Sequence, residues 1–148
     1  MSQSLRQQIA DYLVTAIKEI EEPRVAFVTV EPFNVLEIAI TQFPAVLVTM
    51  REETRETVTL GAPSVGRRTG NIRFEVRAYV RGNDLDTKRN ELLEALEEQL
   101  EKDRYFGLRT SGVMDSQITN IEVIDRMPPL AEILIRLEVR YNYTRGNN

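Results

Sequence analysis

Asn71-Ile72-Arg73-Phe74-Glu75-Val76-Arg77-Ala78-Tyr79-Val80-Arg81 is the stretch on which the fold turns. Ile72, Phe74, Val76, Ala78 and Val80 alternate with Asn71, Arg73, Glu75, Arg77, Tyr79 and Arg81. A period of two belongs to an extended strand, whose successive side chains point to opposite faces. One face therefore meets a core, and the other, rich in arginine, is wet or faces a neighbour. The preceding Gly61-Ala62-Pro63-Ser64-Val65-Gly66-Arg67-Arg68-Thr69-Gly70 carries three glycines and a proline, and is too long for a tight hairpin turn. Before that loop, Pro44 opens another strand, with Val46, Val48 and Met50 on one side. From Arg51 to Thr59 this strand runs on with polar residues on both sides. Such a segment has no core to cover, so it reads as an extended hairpin arm, either solvated or reserved for a partner.

Helical periodicity flanks the hairpin. Leu5, Ile9, Leu13, Ala16, Ile17 and Ile20 recur at three- and four-residue steps, with Tyr12 beside them. Ser4 and Gln7 have the spacing of a capping box, and Pro23 closes the segment. A second helix is predicted over Asp86 to Lys102, with Leu85, Leu92, Leu93, Leu96 and Leu100 as its apolar stripe and Asp84 or Asp86 as its cap. Arg24 to Val30 is β-rich, and Leu36, Ile38 and Ile40 allow a short strand there. Ser111-Gly112 precedes a strand around Ile118 to Ile124, and Met127-Pro128-Pro129 is a turn. The last strand sets Ala131, Ile133, Ile135, Leu137, Val139, Tyr141 and Tyr143 against polar residues, with Leu134 interrupting the polar side. The expected fold is a single α+β domain over residues 1–148, frayed at 144–148. In it, two amphipathic helices pack on one face of a mostly antiparallel sheet.

The composition narrows the function. Of 148 residues, 42% are hydrophobic and 28% charged, a globular balance that argues against wholesale disorder. No cysteine is present, so disulfides and thiolate metal sites are excluded. No histidine is present either, which removes the common catalytic triads. A net charge of −4 is a poor footprint for sequence-independent duplex binding. Met1-Ser2-Gln3-Ser4 begins no apolar leader run, and no stretch approaches a membrane span, so a soluble intracellular protein is expected.

The remaining candidate chemistry is sparse. Lys18, Lys88 and Lys102, the only lysines, fall on solvent-facing helical positions, which weakens a Ser–Lys nucleophile. Glu52, Glu53 and Glu56 are interleaved with Arg51 and Arg55, the pattern of a solvated strand rather than an acid–base pair. Asp84 and Asp86 have helix-cap spacing and no EF-hand continuation. No catalytic, cofactor-binding or metal residues are therefore assigned, and no enzyme activity is expected. Arg67 and Arg68 either reach an acidic partner or DNA backbone, or form a solvated hairpin tip. Arg51, Arg55, Arg67, Arg68, Arg73, Arg77 and Tyr79 form the candidate contact set, since arginine and tyrosine are enriched at interface hot spots.

In its layout the chain resembles the bacteriophage tail terminator family, the minor tail protein U-like or tail completion proteins. The matching pieces are the leading helix Leu5 to Ile20 and the strand Gln42-Phe43-Pro44-Ala45-Val46-Leu47-Val48. The long hairpin, Ile72 to Val80, the helix Asp86 to Lys102 and the closing Val139-Arg140-Tyr141 complete the match. The resemblance implies a ring, usually of six subunits, that caps the tail tube, stops its polymerisation and forms the tail side of the head–tail junction. Implied partners are further copies of the chain, tail-tube protein, a neck or head-completion protein and, in contractile tails, sheath protein. DNA would pass through the lumen without specific binding, and no membrane is involved. The implied location is the virion, after assembly in the host cytoplasm. The alternatives are a neck or head-closure adaptor ring, and a small ligand-binding regulatory α+β domain.

Overall fold

The computed structural model describes residues 4–55 and 67–144. Two α-helices and five strands occur among them, with short 3-10 turns at Ile40–Gln42 and Arg109–Ser111: α1 (Leu5–Lys18), β1 (Phe27–Thr29), β2 (Ala45–Arg55), β3 (Arg67–Arg81), α2 (Leu85–Leu100), β4 (Val113–Ile124) and β5 (Leu130–Thr144). The sheet order is β1-β2-β3-β5-β4; β1 lies parallel to β2 and every other pair is antiparallel. The fold is α+β, with both helices packed against a mostly antiparallel sheet, as the sequence pattern predicts.

The core lies between the helices and one sheet face. Ile9, Leu13, Ala16 and Ile17 of α1 and Leu92, Leu96 and Leu100 of α2 are buried there. They meet Ile72, Phe74, Val76, Ala78 and Val80 of β3 and Ile133, Ile135, Leu137 and Val139 of β5. Burying each large apolar side chain stabilises the fold by roughly 1.5–3 kcal/mol. Tyr12 stacks on Phe106 with ring centroids 4.8 Å apart, and the Gln99 amide donates to the Ala16 carbonyl at 2.8 Å, joining α2 to the end of α1. Ser4 Oγ accepts the Gln7 N–H at 3.2 Å, while the Gln7 side chain donates to Asp11; only half of the expected capping box forms.

Four local expectations are corrected. Leu36, Ile38 and Ile40 form no strand: Asn34 Oδ1 accepts the Leu36 N–H, and Gln42 Oε1 accepts the Ala39 N–H. These side-chain bonds offer the backbone turns in place of a ladder. The β-rich residues 24–30 supply only the three-residue β1. Asp84 occupies the α2 N-cap position in a left-handed conformation and makes no side-chain cap bond. The strand expected around Ile118 begins earlier, at Val113. It follows Gly112, whose φ of +109° and approach to the Asn142 carbonyl leave no room for a side chain. Thr144, expected to fray, closes β5; 145–148, like 56–66 of the expected arm and loop, lie outside the described residues.

Candidate functional site

A bulge between Met50 and Glu52 decides what the outer sheet face presents. Before it, Val46, Val48 and Met50 share the helix face. One extra residue then shifts the alternation, as a bulge does. Glu52 pairs with Arg73 on the outer face, and Glu53 pairs with Ile72 on the helix face. The two glutamates are thus separated by the sheet and do not form a carboxylate pair. Glu56 lies outside the described residues.

On the outer face, Glu75 takes Arg51 at 3.1 Å, Arg77 at 3.5 Å and Arg136 at 3.7 Å. Arg73 bridges Glu52 at 3.2 Å and Glu138 at 3.4 Å. Arg136 also holds Glu122 at 2.9 Å and Asn120 at 2.6 Å. Arg51, Glu52, Arg73, Glu75, Thr119, Arg136 and Glu138 line a groove of about 390 Å³. Each arginine there has a carboxylate partner, so the face is a compensated lattice and not a phosphate-binding track.

Toward the start of β2 the lattice gives way to a buried ion triad. Glu132, with 0% exposure, accepts from Arg77 at 2.7 Å and from Arg126 at 2.8 Å. Burial disfavours the charge on Arg77, but the hydrogen bond and field of Glu132, with the field of Glu75, outweigh it and raise its pKa. Beside the triad, Tyr79 corrects the expectation of an outward contact residue. It is 6% exposed, packed with Val35, Ala45 and Leu130. Phe33 meets its ring edge-on at 5.7 Å, and the Arg126 guanidinium lies 5.7 Å from its centroid. Burial, then the Glu132 field, raises the pKa of its hydroxyl. Phe33, Val35, Ile38 and Phe43, from a stretch whose sequence predicts a turn and a short strand, pack over this end of the outer face.

The candidate contact residues therefore separate. Arg51 and Arg77 meet at Glu75 on the outer face, and Arg73 lies on the same face between Glu52 and Glu138. Arg55 lies on the helix face, 4.5 Å over the Tyr143 ring and 3.4 Å from Glu53. Arg68 pairs in register with Tyr143 on that same side and is half-buried. Arg67 pairs with Thr144 through the backbone, and its side chain lies outside the description. Glu53, nearby, receives hydrogen bonds from Arg6 and from the Tyr141 hydroxyl. Burial alone would raise its pKa; those bonds, with the fields of Arg6 and Arg55, hold it below the ordinary 4.5. Glu132 escaped sequence reasoning, its one signal being the neighbouring Leu134 that interrupts the polar row.

Elsewhere, Glu21, Glu22, Glu91, Glu94 and Glu98 line an open groove of about 590 Å³ with Arg24. An apolar groove of about 370 Å³ runs between Ile40, Phe43 and Val80. Among the described residues, no three side chains gather in a metal-holding group, and no helix is long and apolar enough to cross a membrane.

No protein-family model matches the sequence, and no curated protein matches it. Among solved structures, the chain is similar to one from the virion of a native gene transfer agent particle. The TM-score is 0.48 and the identity 9%, over 95% of this chain and 96% of that one.

Proposed function

We propose that this chain is a structural subunit of a phage-like virion, a tail terminator whose ring caps the tail tube and meets the neck. One observation supports the reading: the described residues form helices and strands in the order that the tail-terminator resemblance implies, with its first core strand starting at Ala45 rather than Gln42. Leu5–Lys18 is the leading helix, Ala45–Arg55 and Arg67–Arg81 are the long hairpin strands, Leu85–Leu100 is the second helix and Leu130–Thr144 is the closing strand. The described residues also offer surfaces rather than reactive groups: a compensated ionic face and long strand edges. Edges of that kind are joining elements in assemblies.

The test is native mass spectrometry of the protein, alone and with tail-tube subunits. A ring near six chains of 17.0 kDa, or a stoichiometric cap on tubes, is the expected result. Deleting residues 62–69 is expected to leave a folded protein that no longer fixes tube length. Capture by portal-bearing heads instead of tubes would replace this reading with the neck adaptor. A thermal shift with a metabolite and indifference to tubes would replace it with the regulatory domain.

A further inference from the structure

The sheet has two unpaired edges among the described residues, on opposite sides. β1 covers β2 only from Ala45 to Leu47, so residues 49–55 of β2 have β3 on one side and no strand on the other. β4 pairs with β5 alone. The alternation of strand directions makes β4 antiparallel to β2. The two edges also stand at one height. Met50 is level with Phe74, Leu137 and Ile118, and Val48 is level with Val76, Ile135 and Ile121. A ring needs rotation without rise, since a contact with rise builds an open filament. Level, antiparallel edges on opposite sides of one sheet meet that condition.

The side chains agree with this geometry. A groove of about 220 Å³ borders the open part of β2 on the helix face, lined by Ala10, Val30, Val48, Met50 and Phe74. Ile121 of β4, on that same face and at the height of Val48, is 37% exposed. Residues 49–55 of β2 carry half-exposed Arg51 and Arg55 together with Glu52 and Glu53, a balanced edge, whereas Val113–Ile124 carries half-exposed Asp115 and Glu122 and no lysine or arginine. Their present partners are surface ion pairs, each worth about 0–1 kcal/mol and free to rearrange. Pairing β4 with β4 would set carboxylates against carboxylates; pairing it with β2 at the shared height sets Asp115 opposite the uncharged Thr54.

We infer that residues 113–121 of β4 in one copy add antiparallel to residues 48–55 of β2 in the next copy, below the part covered by β1, and seat Ile121 in the groove beside Val48. This inference rests on the ring reading above and names the surface that closes the ring. The partner is a second copy of this chain, joined edge to edge in one continuous sheet.

The native chain has no cysteine, which makes crosslinking selective. The Met50→Cys/Ile118→Cys variant, treated with a short bis-maleimide, is expected to give a covalent ladder ending at one closed size. Each single-cysteine variant is expected to remain uncrosslinked. Dimers from either single variant would show two-fold pairing and overturn the inference. A ring by native mass whose double variant stays uncrosslinked would overturn it too, while leaving the ring reading intact. A chain that stays monomeric at every concentration and ignores tube ends would sink both. Ile121→Lys, at an exposed position, is expected to keep the parent circular dichroism and lose assembly; parent-like assembly would overturn the inference.

Discussion

The two faces of β3 differ in how they are held. On the helix face, Ile72, Phe74, Val76, Ala78 and Val80 are sealed by α1 and α2. On the outer face, Arg73, Glu75 and Arg77 are held by one another and by carboxylates and arginines of β2 and β5. The first arrangement gains stability from area removed from water; the second gains little where solvent screens it and more where Glu132 is enclosed. Stability is thus concentrated on one face, leaving the other tolerant of change and open to contact.

The comparison breaks most visibly at Phe74. Phe74→Ala should cost about 3–5 kcal/mol, because the ring is fully buried between sheet and helices. Urea unfolding with an unchanged m-value would measure it, and a loss no greater than that of an outer-face variant would undo the distinction between faces. Next comes the enclosed end of the outer face. Glu132→Ala strands Arg77 and Arg126 and should cost about 2–3 kcal/mol, with Glu132→Gln retaining part of the loss. A third change probes the far end of the helix face, where Tyr141 lies across Gly70. A methyl group there would come within 2.6 Å of the ring, so Gly70→Ala should cost about 1–2 kcal/mol by displacing it.

A smaller, pH-dependent effect sharpens the contrast. The folded-state pKa of Glu53 is lowered, so its contribution to stability is present above the unfolded value, near 4.5, and is lost as pH falls through the lower folded value. Thermal melts between about pH 6 and about pH 3 should therefore show an acid-side decline that is shallower in Glu53→Gln. Equal slopes in the two proteins would mean that the Arg6 and Tyr141 contacts do not stabilise the charged form. The smallest effect is expected at the exposed end of the outer face. Arg73→Ala should change stability by less than about 1 kcal/mol, and added salt should shrink that further. A larger loss would mean that the lattice is structural throughout.

Much of the helix face was legible in the sequence because it depends on short-range repetition. The alternation from Ile72 to Val80 and the spacing of Leu92, Leu96 and Leu100 each assign one side of one element to the core. The same regularity placed the second helix, whereas residues 67–70, read as the end of a loop, extend β3. The outer face was less legible. Alternation put Tyr79 there correctly but says nothing about what covers it. Phe33, Val35 and Leu130 come from distant parts of the chain, and Asn34 and Gln42 hold local turns in the stretch that covers that end. The candidate contact set was divided for a similar reason. A single extra residue between Met50 and Glu52 inverts the alternation, and a bulge has no fixed sequence signature in a run such as Arg51-Glu52-Glu53.

The sequence by itself determined the α+β class, the helix-facing core and the want of histidine or cysteine chemistry, because composition and periodicity are local properties of the chain. Only the tertiary structure decided that Glu132 is enclosed between Arg77 and Arg126 and that, among the described residues, 49–55 of β2 and the far side of β4 are left without a neighbouring strand. Enclosure and edge pairing depend on which distant segments arrive beside one another, and strand order is settled by how the whole sheet packs against its helices.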